Sequence, residues 1–146
     1  MHNIEQQAIN TFREGLNCAQ TVLVAYAEKL NFDPKLALSI SCGFGGGMGR
    51  LQETCGAVTG AFMVLGIYNC GKYSDNKERK AMTYQMVRDF NQKFTAIHHS
   101  ANCKQLLNAD LNTAEGQKFV QENNLHEKVC EKCIASSVKI LDGMMN

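Results

Sequence analysis

Apolar residues recur along this chain at helical spacing. Ile4, Ala8 and Phe12 stand four residues apart and Gly15 closes the stretch, which predicts a first amphipathic helix. Asn17 supplies a capping side chain for a second helix, with Ala19, Val22, Leu23, Tyr26 and Leu30 on one face. Asp33-Pro34 joins a capping carboxylate to a proline placed where no amide is needed, and opens a short third helix ending near Cys42-Gly43. After a glycine-rich run from Gly43 to Arg50, Thr54 is positioned to cap a fourth helix that reaches about Tyr68. That helix is apolar nearly all round, which predicts a place at the centre of a bundle. Asn69 to Asn76 reads as a turn. A long amphipathic helix then carries Met82, Met86, Phe90, Phe94 and Ile97, the methionines reading as core packing. Asn102 opens a short helix with Leu106 and Leu107, and Asn112 with Glu115 reads as a capping box for a helix through Phe119 and Val120. The last helix runs from about His126 to Leu141, with Cys130, Ile134, Ser137 and Leu141 on one face. The expectation is an all-α, single-domain irregular bundle of six or seven helices spanning residues 1–146.

Composition narrows the function classes. Of the 146 residues 45% are hydrophobic, enough for one ordinary core, and the formal net charge is +1 with both signs spread along the chain. Nucleic acid and an anionic membrane are therefore not the expected partners. The polar start, Met1-His2-Asn3-Ile4-Glu5, lacks the basic and apolar regions of a secretory signal. The most apolar stretch, Cys55 to Tyr68, is shorter than the ~20 residues a bilayer span needs. The expected location is the cytoplasm, where thiols stay reduced.

Cysteine use stands out, with seven in the chain. An odd count, a chain long enough to fold without staples and no secretory signal favour metal or redox work over a disulfide frame. Cys18, Cys55 and Cys103 each follow a capping residue: Asn17, Thr54 and Asn102. A thiol in a first helical turn meets unpaired amides and the positive end of the helix dipole, both of which favour thiolate. Any one of these could be a small buried hydrophobe; three together point to function. Cys130-Glu131-Lys132-Cys133 is a CxxC within a helix, its two thiols one turn apart. It could close a disulfide, share a metal, or supply one ligand and one bystander. No βαβ pattern surrounds it, no second CxxC completes a zinc ribbon, and no ferredoxin-like run is present. Cys42 and Cys70 precede glycines at helix ends and read as structural.

The glycine run lacks the lysine of a phosphate loop and the third glycine of a dinucleotide fingerprint. Gly45, Gly46, Gly47 and Gly49 read either as a tight connection whose backbone packs against another helix or, the favoured reading, as a close backbone approach to a cofactor or to Cys55, with amides offered to sulfur. Arg50 reads as a solvated loop charge, His98-His99 as a helix terminus and His126 as a surface residue.

Several segments resemble one known family. Asn17-Cys18-Ala19-Gln20, the run Gly43 to Arg50, and Glu53-Thr54-Cys55-Gly56-Ala57-Val58-Thr59-Gly60-Ala61 are similar to the bacterial and archaeal C_GCAxxG_C_C family. Cys103 with Leu106-Leu107 resembles its third cysteine and Cys130 its fourth, so the resemblance covers about residues 15 to 140. One departure is that Gly56 stands before Ala57, where the motif has cysteine, and Cys55 comes one place earlier. The resemblance implies a redox-active protein. A related domain in split-Soret cytochromes brings an iron–sulfur centre into consideration.

Two mechanisms then stand side by side. Cys18, Cys55, Cys103 and Cys130 could ligate an iron–sulfur cluster or another thiophilic metal. Alternatively these thiols, with Cys133 as a fifth, could cycle between dithiol and disulfide. A non-catalytic zinc-type site and a helical interaction module with inert thiols are the remaining readings. The partner expected is a redox protein or a small-molecule thiol or disulfide.

Overall fold

The computed structural model describes residues 3–146, and Met1 and His2 of the polar start lie outside the described residues. In chain order the helices are α1 (Ile4–Arg13), α2 (Cys18–Ala25), α3 (Ala27–Leu30), α4 (Pro34–Ser41), α5 (Gly45–Met48), α6 (Gly56–Lys72), α7 (Asn76–His98), α8 (Cys103–Leu107), α9 (Ala114–Glu122) and α10 (Glu131–Met144). Among the described residues seven of these have eight residues or more, and the fold is all-α. Extended pairing among them is limited to one antiparallel bridge between Thr54 and Asn102. No helix of the described residues is long and apolar enough to cross a membrane.

Caps set most helix starts as side-chain chemistry predicts. Asn3, Asn17, Asp33, Asp75 and Asn102 each accept a hydrogen bond from an amide of the turn that follows. At α2 the cap is reciprocal: Asn17 accepts from the Gln20 amide at 2.9 Å, and Gln20 accepts from the Asn17 amide at 3.0 Å.

The apolar helix α6 is central. It packs on α2, α7 and α10 and buries Ala57, Val58, Ala61, Val64 and Leu65 completely. Gly60 is what lets α2 lie so close, because a Cβ there would stand 2.8 Å from the Ala19 carbonyl oxygen. From α7 come Phe90 and Phe94, from α10 Ile134, Val138 and Leu141, all buried in the same core.

Several boundaries differ from expectation, each for a local reason. The second helix breaks at Tyr26, whose ring is buried and whose hydroxyl donates to Asp142 at 2.8 Å. Helix α6 continues to Lys72, so the predicted turn at Asn69 to Asn76 shrinks to three residues. Thr113, not Asn112, caps α9 by accepting from the Gly116 amide, while the Asn112 side chain donates to the Arg50 carbonyl at 2.8 Å. Met82 and Ile97 face solvent, so the inner face of α7 is carried by Phe90 and Phe94. The last helix opens with a π turn, His126–Cys130, in which the Glu131 amide donates to the His126 carbonyl five residues back. Such a bulge rotates one side chain out of the regular helical register.

Candidate functional site

Six of the seven cysteines line one cavity of about 930 Å³, Cys42 at its rim and Cys18, Cys55, Cys103, Cys130 and Cys133 further in. Each comes from a different local device. Cys18 is the first residue of α2 behind the Asn17–Gln20 cap. Cys55 is not within a helix but immediately before α6, itself in the capping position. Thr54 does not cap α6; it bridges to Asn102. That bridge, with the Cys55 amide donating to the Ala101 carbonyl at 2.7 Å and the Cys103 amide to the Glu53 carbonyl at 2.6 Å, holds the Cys55 and Cys103 segments side by side. Cys130 ends the π turn and Cys133 lies in the first turn of α10.

The sulfurs meet as two pairs. Cys18 and Cys130 act on each other's ionisation, and so do Cys55 and Cys133. The CxxC is therefore divided: Cys130 faces α2, and Cys133 faces the start of α6. All seven thiols are free. Cys18 and Cys130 are partly exposed, whereas Cys55 is 7% and Cys133 1% exposed. Cys103 is also buried and sits beside the inner pair.

Electrostatics separate the members of each pair. Donation from the Cys18 thiol, opposed by burial and helped by His126, lowers Cys130 from the ordinary thiol value of 9.0 to about 6. The His126 Nδ1 stands 3.8 Å from the Cys130 sulfur, and the same contact raises the imidazole above its usual value. Cys18 is pushed well up, first by its bond to Cys130, then by burial. In the inner pair, donation from Cys133 lowers Cys55, with the amides of Ala57 and Val58 at the mouth of α6 adding to it against burial. Cys133, donating to Cys55 from a buried position, is raised. Burial raises Cys103 to about 11.

Two expectations about chemistry are thereby corrected. The helix-start argument predicts thiolate at Cys18, Cys55 and Cys103, but only Cys55 is held low. Neighbouring sulfur charge at Cys18 and burial at Cys103 outweigh the dipole. Cys130, which that argument does not cover, is also held low, and it is set by Cys18 and His126. A histidine four residues before a cysteine on one helical face was the available signal, and the π turn alters that spacing in space.

The glycine run lies on the cavity wall through Gly45, Gly46 and Gly47, and Gly49 is outside it. The amides that act on Cys55 belong to Ala57 and Val58 rather than to this run. Its glycines serve close packing. A Cβ on Gly47, whose φ is 67°, would stand 2.7 Å from both the Gln52 backbone and the Cys103 side chain. Gly46 and Gly47 adopt left-handed backbone inside α5, followed by Met48, Gly49, Arg50 and Gln52 at positive φ. Gln52, unforeseen as a site residue, is buried here and ties the wall together. Its side chain donates to the Ala109 carbonyl and accepts from the Leu111 amide, each at 2.8 Å. Gly56, at the motif position where the family pattern has cysteine, lies 2.8 Å from the Ala19 nitrogen by the same measure and 3.0 Å from the Cys18 Cβ. A side chain has no room there, and sulfur enters from Cys55 instead.

Cys42 is exposed at the rim of the cavity, and Cys70 is exposed on α6 away from it. His98 ends α7 with Nε2 2.9 Å from the Ser136 hydroxyl and takes no part in the cavity. Arg13 of α1 makes a two-pronged ion pair with Glu131 at 2.8 and 3.0 Å, closing α1 over α10 beside the sulfurs. Among the described residues no group of three or more His, Cys, Asp or Glu side chains could hold a metal ion as arranged.

Comparison with known proteins gives one family. The model of the C_GCAxxG_C_C family, described as "Putative redox-active protein", matches residues 16–144. A protein of Archaeoglobus fulgidus described as "Uncharacterized protein" is 28% identical over 126 residues, covering 81% of this chain and 83% of that one. No solved structure matches the chain.

Proposed function

We propose that this chain, which belongs to the C_GCAxxG_C_C family, is a thiol–disulfide redox protein whose working pair is Cys130 and Cys18. The observation that carries the reading is the meeting of a Cys130 sulfur held toward thiolate, a Cys18 thiol and the His126 ring at the wall of one open cavity. An attacking thiol is most effective when its pKa lies near ambient pH, and Cys130 meets that condition. The cavity volume of about 930 Å³ suits a small-molecule disulfide.

In the reducing direction the Cys130 thiolate attacks one sulfur of the substrate disulfide. A Cys130–substrate S–S bond forms, the substrate S–S bond breaks, and the first leaving thiolate takes a proton from the His126 imidazolium. Cys18 then gives its proton to the second leaving sulfur as it attacks Cys130. The mixed disulfide breaks and a Cys18–Cys130 disulfide remains. Two electrons pass from the protein to the substrate, and the reverse sequence with two small-molecule thiols returns them.

The test is to treat the reduced chain with glutathione disulfide, quench with acid, alkylate and map the linkages by mass spectrometry. The expected product is a Cys18–Cys130 linkage, and in Cys18→Ser a glutathione adduct that stays on Cys130. A Cys130 that remains a free thiol in both proteins refutes the reading.

A further inference from the structure

We infer that Cys55 and Cys133 form a second, inner dithiol that receives oxidising equivalents from the Cys18–Cys130 disulfide, so that the site stores two disulfides in sequence. This rests on the reading of the outer pair just given. Cys55 and Cys133 line the same cavity as the outer pair, and each acts on the other's ionisation. At 1% and 7% exposure Cys133 and Cys55 present little surface to a dissolved disulfide, whereas Cys18 and Cys130 are partly open. The route inward is therefore through protein sulfur.

Three features hold the two pairs together. The CxxC places one member of each pair on successive turns of the same helical stretch. Gly56 lets the start of α6 lie against the start of α2, because a Cβ there would stand 3.0 Å from the Cys18 Cβ, so Cys55 and Cys18 are neighbours. Sulfur charges at Cys55 and Cys133 both act on Cys18.

The exchange balances without any further reagent. The Cys55 thiolate attacks one sulfur of the outer disulfide, forming a disulfide between the pairs and freeing the other outer sulfur as thiolate. Cys133 attacks Cys55, its proton passing to the second outer sulfur as that sulfur leaves. The outer pair is back as one thiol and one thiolate, and a Cys55–Cys133 disulfide has formed. The inner pair loses two electrons and the outer pair gains them. Direction follows from exposure: the outer disulfide, between partly exposed cysteines, is the more oxidising of the two, and the buried inner one the more resistant to reduction.

The experiment uses the full chain and one equivalent of glutathione disulfide, with acid quenches over time and linkage mapping. The Cys18–Cys130 linkage should appear first and then decline as a Cys55–Cys133 linkage grows, with Cys18 and Cys130 again open to alkylation. In Cys18→Ser and, separately, in Cys130→Ser, the inner linkage should form at least ten-fold more slowly. A Cys18–Cys130 linkage that persists while Cys55 and Cys133 stay reduced overturns the inner dithiol but leaves the outer pair standing. Inner oxidation at an undiminished rate in both serine variants overturns the transfer. A Cys55–Cys103 linkage in place of Cys55–Cys133 overturns the pairing. Failure of any outer linkage to form in the parent chain is the separate outcome that refutes the outer pair.

Discussion

Replacing Cys18 by alanine removes the thiol that donates to the Cys130 sulfur, which is the largest influence lowering Cys130. A hydrogen bond to a charged acceptor contributes about 1.5–3 kcal/mol. Since each pH unit corresponds to roughly 1.4 kcal/mol, the midpoint of Cys130 ionisation should rise by about one to two pH units from its value of about 6. Alkylation needs thiolate, so in the parent chain the Cys130 rate climbs through that midpoint and is flat above it. In Cys18→Ala the rate at pH 6 should fall roughly five- to fifty-fold, and the two proteins should converge at high pH. Cys18→Ser retains a donor and should keep most of the low midpoint. Trypsin cleaves after Lys128 and Lys132, which places Cys130 and Cys133 on separate peptides, so brief iodoacetamide pulses read by mass spectrometry follow Cys130 alone. Smaller bulk in the alanine variant also admits water and pulls the midpoint down, but this opposes the lost bond and is shared in part by serine. The reasoning fails if alanine and serine give the same profile, or if the parent Cys130 titrates near 9.0, the ordinary thiol value.

Three other changes test different parts of the structure. His126→Asn should slow Cys130 alkylation at pH 6 by less than Cys18→Ala does, because the imidazole is exposed and acts after Cys18; a larger effect from His126 would invert the order of causes. Gly47→Ala forces a side chain into left-handed backbone at φ 67° and within 2.7 Å of the Gln52 backbone, and should cost about 2–4 kcal/mol in denaturant unfolding; an unchanged midpoint would show that this wall yields. The Ser137 hydroxyl is buried with no hydrogen-bond partner among the described residues, so Ser137→Ala should leave Tm unchanged or raise it, and a loss beyond about 1 kcal/mol would contradict that.

The helices were legible in the chain because their signals are local. Asn17, Asp33-Pro34 and Asn102 work as caps through side-chain chemistry within three residues, and the uniform apolarity of α6 is enough to place it centrally. What was not legible depends on contacts distant in sequence. Thr54 looks like a cap until Asn102 claims its backbone. The two halves of the CxxC look like one site until α2 and α6 each take one of them. His126 looks like a surface histidine, and it is exposed, yet its ring nitrogen addresses Cys130. Spacing rules detect ligands or nucleophiles that share a turn; they are blind to a π turn that shifts one sulfur toward another helix.

The two pairs are also coupled through charge, and the sign of that coupling favours transfer in one direction. While Cys130 is a thiolate its charge opposes ionisation of Cys55. Forming the outer disulfide removes that charge, so Cys55 is freed toward thiolate by the very step that creates the bond it is to attack. Cys103, raised to about 11 and buried, remains a thiol and adds no competing charge. When the inner disulfide has formed and Cys130 is again a thiolate, no Cys55 charge is left to oppose it, and the outer pair returns to the state in which it reacts. Each oxidation thus removes a charge that opposes ionisation of the thiol acting next.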